Sequence, residues 1–255
     1  MIEDLVCCLV VLFVSVRTVR SQDFVSCFPG APGCFVLDRV GLASYDPKGP
    51  FTCSQRSGAC MTTQCVEEGP YYKTNAPIQM IGEGRNGFTP QICPNSVSND
   101  RLIMNGTVRV VDANNPCGRP TRAMLDVWHA DPEGNYTDIR PSAGDYKCRT
   151  RLITGDSGFY TYSTTMPGRY ASPALGPGFR AVHVHVKVTP LDSNNKPIGR
   201  TLTLQQYFAL DMYMGKNDVC TECRSDDPTL ITHLQHSYDI KTFDGVHDIL
   251  LAAIF

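Results

Sequence analysis

Short runs of alternating apolar and polar residues, separated by turn-forming residues, constrain this chain more than any other feature of its sequence. In Met104–Asp112, for example, Val108 and Val110 lie on one face of an extended segment and Val111 lies on the other. Alternation with a period of two is typical of a β-strand with one buried face. Long stretches of the chain lack helical periodicity, so we expect strands joined by turns.

Similar patterns recur along the second half of the chain. Further strands are predicted at residues 123–128, 158–165, 181–189 and 202–210, with Gly, Pro, Asn or Asp between them. The cluster Asn114–Gly118 is predicted to be a turn, and Asp248–Phe255 to be either a short helix or a terminal strand. Successive strands with turns between them fit a sandwich or a barrel. We predict an all-β fold with a β-sandwich core.

The beginning of the chain has the features of a secretory signal peptide. Leu5–Val16 is an apolar run that is too short to span a bilayer, and Ser21 is an acceptable last residue before cleavage. Glu3 and Asp4 are atypical, because a positive charge is expected there. We predict that residues 1–21 are removed, that the protein is secreted, and that the mature chain has no membrane segment.

The cysteines are concentrated near the start of the mature chain. They are Cys27, Cys34, Cys53, Cys60, Cys65, Cys93, Cys117, Cys148, Cys220 and Cys223. An even number of cysteines in a secretory context indicates up to five disulfides, whose pairing the sequence does not fix. We expect residues 22–100 to form a loop-rich, disulfide-stapled extension that packs on the core. Residues 101–255 are expected to form the catalytic sandwich as one globular unit.

A zinc site is an alternative interpretation of the last two cysteines. Cys220 and Cys223 are followed by His233 and His236, but the gaps between these residues do not match those of a zinc finger. A disulfide is therefore favoured over zinc. Nucleic acid is not an expected partner, because the formal net charge is −2 and the pI is about 6.3.

Two histidines in one predicted strand are candidate metal ligands. His183 and His185 are two residues apart, so their side chains project from the same face, with backbones about 7 Å apart. Two imidazoles in this arrangement can bind one metal ion. For the pair alone, two structural or exposed histidines are an equally good interpretation.

The residues around this pair form an ordered set of motifs. They are Glu68-Gly69-Pro70-Tyr71-Tyr72, Trp128-His129-Ala130-Asp131, Gly134-Asn135-Tyr136, Asp156–Tyr160, Pro167-Gly168-Arg169-Tyr170, Arg180–Val186 and Leu202–Phe208. In order and spacing, these motifs resemble those of the intradiol ring-cleavage dioxygenases over most of residues 64–211. The sequence departs from the bacterial members in its cysteine-rich N-terminal part, which shows no long amphipathic helical segments of the kind that those proteins use to dimerise. We therefore expect a monomer.

The resemblance implies one ferric ion per chain, bound by Tyr136, Tyr170, His183 and His185. It makes Tyr136 and His183 equatorial ligands, makes Tyr170 and His185 axial ligands, and adds a hydroxide. The chemistry of the residues agrees with this assignment, because ferric iron favours anionic oxygen donors and imidazole is a common iron ligand. A trivalent cation also stabilises a phenolate strongly. Each tyrosine taken alone would otherwise be interpreted as a core aromatic residue.

The same resemblance assigns roles around the substrate. Arg180 and Gln205 are expected beside the ring under attack, where a guanidinium would stabilise developing negative charge. Taken alone, Arg180 could equally be a surface or salt-bridge residue. Gly69, Pro70 and Tyr71 are expected to line the pocket, although packing in a tight turn explains the first two nearly as well.

Other aromatic and histidine residues are assigned structural roles. His129 follows the single tryptophan at a position that the family does not use as a ligand, and we interpret it as structural. Tyr160, Tyr162 and Tyr207 are predicted to be core residues.

Taken together, these features predict a secreted Fe(III)-dependent enzyme. We expect it to act with O2 on a catechol or polyphenol and to open the ring between the two hydroxylated carbons, giving a muconate-type product. Two other functions fit the same residues less fully. One is a non-catalytic extracellular β-sandwich binding protein, and the other is a secreted zinc or copper enzyme that uses His183 and His185.

Overall fold

A computed structural model describes residues 60–81, 89–93, 100–112, 114–236 and 241–252. The described strands are β1 (Ile78–Met80), β2 (Arg101–Asp112), β3 (Asn115–Pro120), β4 (Ala123–Trp128), β5 (Arg149–Ile153), β6 (Phe159–Thr165), β7 (His183–Pro190), β8 (Leu202–Phe208), β9 (Ile231–Thr232), β10 (Leu234–His236), β11 (Thr242–Val246) and β12 (Ile249–Leu251). The helices among these residues are three short 3-10 helices, at Pro141–Ala143, Gly215–Asn217 and Thr221–Cys223. The predicted signal peptide, Cys27, Cys34 and Cys53 lie outside the described residues.

The first sheet carries most of the predicted site residues. Its strand order is β1-β5-β4-β7-β8-β9. The four central strands run antiparallel to one another, and each edge strand pairs in parallel with the strand beside it. Strand β1 comes from the part of the chain before residue 101, so that part contributes directly to the sheet.

The second sheet is organised around β2. Strands β11 and β6 flank the first half of β2, β12 and β3 flank its second half, and β10 pairs with β11. Buried residues alternate with more exposed ones along nearly the whole of β2, as the predicted period of two requires. Leu102, Met104 and Val108 are among the residues on its buried face.

The two sheets share one hydrophobic core. Val184 and Val186 of β7 belong to the same buried cluster as Leu102 and Phe243 of the second sheet. Gln206 of β8 also points between the sheets, where its side chain forms hydrogen bonds with tyrosine hydroxyls of β6. The fold is an all-β sandwich, as predicted. Because side chains alternate along a strand, the neighbours of these inward residues point to the outer face of the first sheet.

Two local predictions are resolved by the structure. The predicted turn at Asn114–Gly118 is wrong beyond its first residue, because β3 begins at Asn115 and pairs with β2 after an irregularity in register. The Asp112 carboxylate accepts hydrogen bonds from the backbone N–H groups of Asn114 and Asn115, which stabilises the short connection between the two strands. In the ambiguous segment Asp248–Phe255, the part that the structure describes contains the strand β12 rather than a helix.

Disulfides join distant parts of the described chain. Cys60 is bonded to Cys117 and Cys93 to Cys148. A third disulfide joins Cys220 to Cys223, so both thiols of the alternative zinc site are already used. Among the residues that the structure describes, no helix has the length and apolar character needed to cross a membrane.

Candidate metal centre

The two predicted histidine ligands lie together on the outer face of the first sheet. His183 and His185 belong to β7, are only 3% and 2% exposed, and have their Nε2 atoms 3.1 Å apart. His183 Nδ1 lies 2.6 Å from the Ala181 carbonyl oxygen, so it carries the proton and donates it there, which leaves a lone pair on Nε2. Burial holds the pKa of both histidines well below the usual value. Both imidazoles are therefore neutral, the form that binds metals.

The two predicted tyrosine ligands reach the same centre from loops. The ring centroids of Tyr136 and Tyr170 are 5.4 Å apart, and the rings are nearly perpendicular. Tyr136 lies 6.2 Å from the ring of His185, and Tyr170 lies 5.8 Å from the ring of His183. The structure thus brings together all four residues that the sequence nominates.

Two glycines hold the tyrosine loops against each other. A Cβ atom on Gly134, which has a φ of +83°, would lie 2.1 Å from the carbonyl oxygen of Arg169. A Cβ atom on Gly168 would lie 2.2 Å from the carbonyl oxygen of Pro132. Gly168 also donates a backbone hydrogen bond to Asp131. The loop before Tyr136 and the loop before Tyr170 therefore meet backbone to backbone, which only glycine permits at these positions.

The phenols are in surroundings that oppose ionisation unless a cation is present. Burial, and then the neighbouring Tyr170, raise the pKa of Tyr136 well above its usual value. The Tyr136 hydroxyl is buried and has no hydrogen-bond partner among the described residues. Burial also raises the pKa of Tyr170, although nearby Arg180 partly offsets this effect. Two phenolates at this position therefore need a strongly positive ion for compensation.

The donor set fits ferric iron. Two phenol oxygens and two neutral imidazole nitrogens are the mixture of hard anionic and nitrogen donors that iron(III) accepts, and two phenolates offset much of its charge. The buried, unpartnered hydroxyl of Tyr136 and the closely spaced Nε2 atoms of His183 and His185 are atoms that a bound ion would satisfy.

Arg180 and Gln205 lie beside these four residues, as expected, and both are buried. The guanidinium of Arg180 donates to the Tyr170 hydroxyl at 3.2 Å and to the Gln205 side-chain oxygen at 2.8 Å. It also donates to Tyr207 at 3.2 Å and forms an ion pair with Asp218 at 2.8 Å. Arg180 is therefore a buried residue of the site, and the alternative of a surface arginine is wrong.

The three predicted pocket residues differ in their contacts. Gly69, with a φ of +73°, lies next to His185, and a Cβ atom there would be 3.7 Å from that imidazole. Pro70 is exposed. Tyr71 is half-buried and stacks on Tyr136 with ring centroids 4.2 Å apart. Gly69 and Tyr71 thus contact the centre directly, whereas no side-chain contact of Pro70 with it is observed.

A row of side chains in register across four strands builds this face of the sheet. Arg149 on β5, Trp128 on β4, His185 on β7 and Gln205 on β8 are successive partners. The indole of Trp128 stacks on the His185 imidazole with centroids 4.7 Å apart. The sequence analysis did not predict this row, because a single sequence does not show which strands pair or in which register.

Arg149 was also missed, and it connects two parts of the site. Its guanidinium donates to the carbonyl oxygen of Tyr71 at 2.7 Å and to the hydroxyl of Thr137 at 3.0 Å, and it lies 5.9 Å from the centre of the Tyr136 ring. The residue after the predicted ligand Tyr136 and the predicted pocket residue Tyr71 are therefore held by one cation. A buried arginine carries no sequence signal that distinguishes it from a surface one.

His129 has the contacts of a structural residue. Its ring nitrogens lie 2.7 Å from the Ala130 carbonyl oxygen and 2.7 Å from the Thr164 hydroxyl. The sulfurs of Cys93 and Cys148 are also nearby, but they form a disulfide. Because both nitrogens and both sulfurs are engaged, this cluster does not offer a second metal site.

Comparisons with known proteins show which family this chain resembles. A family model described as dioxygenase matches residues 67–253. A chlorocatechol 1,2-dioxygenase of Pseudomonas putida is 32% identical over 192 residues, which cover 70% of this chain and 65% of that protein. A chlorocatechol 1,2-dioxygenase of Rhodococcus opacus is 28% identical and covers 64% of this chain and 63% of its own length. The chain spans about half to two thirds of the length of the curated relatives that it matches.

Solved structures with the same fold include a catechol 1,2-dioxygenase of Acinetobacter radioresistens. It superposes with a TM-score of 0.60 at 26% identity and covers 78% of this chain and 65% of its own. The dioxygenase domain of a dioxygenase and carbohydrate-binding fusion from Streptomyces sp. SirexAA-E superposes with a TM-score of 0.53 at 26% identity. That match covers 76% of this chain and 99% of the domain. The chain belongs to the intradiol ring-cleavage dioxygenase family.

Proposed function

We propose that this chain is a secreted Fe(III)-dependent intradiol dioxygenase with one iron per chain. Its substrates are catechols or related polyphenols and O2. The ring opens between the two hydroxylated carbons, both oxygen atoms enter the product, and the product is a muconate-type diacid. The observation that carries the proposal is the meeting of two phenols and two neutral imidazoles at one buried centre.

The residues of this chain suit the proton transfers that such a substrate requires. Bound ferric iron would supply the chemistry that activates a chelated catechol towards oxygen. A catechol has to lose its hydroxyl protons to bind as a dianion, and the phenol oxygen of Tyr170 is a suitable acceptor. Tyr170 extends from a loop and is hydrogen-bonded to Arg180 at 3.2 Å. It is therefore the ligand that we expect to act as base.

Arg180 and Gln205 are placed to stabilise negative charge on the ring under attack. The Arg180 guanidinium is buried and charged, and it is directed towards the ligand side of the sheet by four side-chain partners. A fixed cation in a dry site stabilises developing negative charge far better than a solvated one. Gln205 donates from its amide nitrogen to the Glu67 carbonyl oxygen at 3.1 Å, so its side-chain oxygen is oriented towards Arg180.

Secretion and a monomeric state are part of the proposal. An apolar leader at residues 5–16 and disulfides at Cys60–Cys117 and Cys93–Cys148 support an oxidising compartment. Amino-terminal sequencing of the protein collected from the medium of expressing cells should begin at Gln22. Light scattering of that protein should give the mass of a single chain, and a doubled mass would overturn the monomer.

The decisive experiment measures oxygen uptake by iron-loaded mature protein with a panel of catechols, together with metal analysis and product spectra. We expect about one iron per chain, uptake of one O2 per catechol, and the ultraviolet absorption of a muconate-type product. Protein that holds zinc or copper and consumes no oxygen would favour a metalloenzyme of another class. Protein that binds no metal would favour a binding domain.

A further inference from the structure

The ion pair behind Arg180 is the part of the site to which the proposed reaction assigns no role. Arg180 Nε donates to Asp218 Oδ1 at 2.8 Å, and the exposed fractions of the two side chains are 6% and 0%. The other nitrogens of the guanidinium contact the phenol oxygens of Tyr170 and Tyr207 and the amide oxygen of Gln205. Asp218 is the carboxylate that balances this buried cation among the residues that the structure describes.

Asp218 is held through one of its two carboxylate oxygens, whereas its buried Oδ2 atom has no hydrogen-bond partner among the described residues. Its Oδ1 atom also accepts a hydrogen bond from the backbone N–H of Cys220 at 3.0 Å, at the start of a turn that the Cys220–Cys223 disulfide closes. The carbonyl oxygen of Cys223 accepts a hydrogen bond from the Tyr207 hydroxyl at 3.0 Å. The same turn therefore contacts both Arg180, through Asp218, and Tyr207, a second partner of Arg180.

We propose that Asp218, held by the disulfide-closed turn Cys220–Cys223, is a positioning residue that fixes the Arg180 guanidinium in one orientation towards the substrate ring. The inference rests on the proposed function, because it specifies how that function's cationic residue is placed. Asp218 does not touch the reacting atoms in this scheme and acts only through Arg180.

The physical reason lies in the shape of the arginine side chain. Arginine has four rotatable bonds before a planar fork, so one hydrogen bond does not fix its direction, whereas contacts on two edges of the fork do. Asp218 contacts the Nε edge, and Gln205 and Tyr170 contact the terminal nitrogens. A buried ion pair contributes little net stability, because desolvation offsets the attraction. Its benefit here is orientation, and misplacement of a catalytic group by about 1 Å can reduce the rate about 100-fold.

The first test compares Asp218→Ala, which removes the carboxylate, with Asp226→Ala, which changes an exposed residue of the same loop. In iron-loaded Asp218→Ala we expect kcat to fall roughly 10- to 100-fold, with KM changed less than about threefold. Iron content and the visible spectrum should match those of the wild type, because no ligand is altered. Asp226→Ala should retain full kcat. A kcat of Asp218→Ala within twofold of the wild type would overturn the proposal.

The second test asks whether Asp218 acts through Arg180. In an Arg180→Ala background, adding Asp218→Ala should lower kcat by less than about twofold, because the group to be positioned is absent. An equal fall in both backgrounds would indicate a general structural role and would contradict the inference. The double variant Cys220→Ser/Cys223→Ser should lower kcat in the same direction by about three- to tenfold. Unchanged kcat there would remove the disulfide from the proposal.

A crystallographic readout separates this inference from the proposed function. In crystals of iron-loaded Asp218→Ala, the Arg180 guanidinium should be displaced by more than about 1 Å or be disordered. An Arg180 in its original place would overturn the inference whatever the activity. If the wild-type protein consumes no oxygen with any catechol, the proposed function fails, while the position of Arg180 in the variant still reports on the role of Asp218.

Discussion

The two halves of the candidate metal centre are built differently. His183 and His185 belong to a central strand with a neighbour on each side, and each is at most 3% exposed. Tyr136 and Tyr170 belong to loops and are half-buried. A ladder of backbone hydrogen bonds fixes the histidines, whereas the tyrosines depend on loop packing. The histidines, which form the strand half of the centre, are therefore held more firmly than the tyrosines, which form the loop half.

The difference extends to charge. Burial keeps the histidines neutral without help, so the strand half is ready to bind a metal at neutral pH. Burial works against the phenolate form of the tyrosines, so the loop half becomes charged only when a cation is present. We therefore expect a tyrosine, whose charged binding form is destabilised by burial, to be released more easily than a histidine, whose neutral binding form is stabilised by burial.

Removing a strand ligand should have the largest effect. His185→Ala deletes one of the two closely spaced nitrogens, so we expect iron content below about a tenth of the wild-type value and no measurable oxygen uptake. Metal analysis after purification measures this directly. His236→Ala, in β10 of the second sheet, is the matched control and should keep its iron. Iron at full occupancy in His185→Ala would remove this residue from the ligand set.

Removing the loop ligand should preserve the metal and damage the reaction. In Tyr170→Phe we expect iron near one per chain, weaker charge-transfer absorption, and a kcat about 100-fold lower, because a proton acceptor is lost. Visible spectra and oxygen uptake provide the measurements, with Tyr213→Phe as a control outside the four ligands. Unchanged colour and rate would exclude Tyr170 from the centre, and loss of the iron would contradict the distinction between the two halves.

The contact between the tyrosine loops can be tested by stability. Gly134→Ala places a methyl group against the Arg169 carbonyl oxygen, where the space is only 2.1 Å, and should lower the free energy of unfolding by more than about 3 kcal/mol. Gly144→Ala is the control: its φ of +68° is also positive, but a Cβ atom there meets nothing within 4 Å. Denaturant titration of both variants separates the steric effect from backbone strain. Equal losses would show that the loop contact is not the cause.

The sheet that carries the two histidines also contains Asp126, a buried residue that makes the stability of the protein depend on pH. Burial raises the pKa of this carboxyl to about 6, although a hydrogen bond from Tyr72 and nearby cations act in the opposite direction. The folded protein therefore holds the proton more tightly than the unfolded chain, and stability falls as the pH rises from 4 through 6. Relative to Asp126→Asn, the wild type should lose up to about 3 kcal/mol between pH 4 and pH 7.

Denaturant titration at both pH values measures the Asp126 effect. Asp156→Asn, which removes the exposed partner of a surface ion pair, should show a change below about 0.5 kcal/mol. A difference between wild type and Asp126→Asn that stays constant with pH would contradict the assigned pKa.

The sequence predicts the strand half of the site better than the loop half. The alternation of side chains along a strand places His183 and His185 on one face without reference to any family. The same pattern predicts the strands that carry Trp128 and Gln205. Tyr136 and Tyr170 are nominated only through family resemblance, because the path of a loop depends on long-range contacts such as that of Gly134 with Arg169. No local pattern marks such contacts.

The second layer around the site was not predictable for a related reason. Arg149 and Asp218 act through neighbours that lie 78 and 38 residues away in the chain, Tyr71 and Arg180 respectively. Periodicity reports burial, and composition reports charge, but neither identifies the partner of a buried ion. The short strands β9–β11 were missed as well, because runs of two to five residues carry too little alternation.

The glycine contact between the tyrosine loops limits which substitutions this part of the molecule tolerates. Since main chain meets main chain at Gly134 and Gly168, the separation of the two loop backbones is already set in the metal-free polypeptide. Substitution at either glycine cannot adjust that separation gradually, because the smallest possible change, a single methyl group, already collides with a carbonyl oxygen.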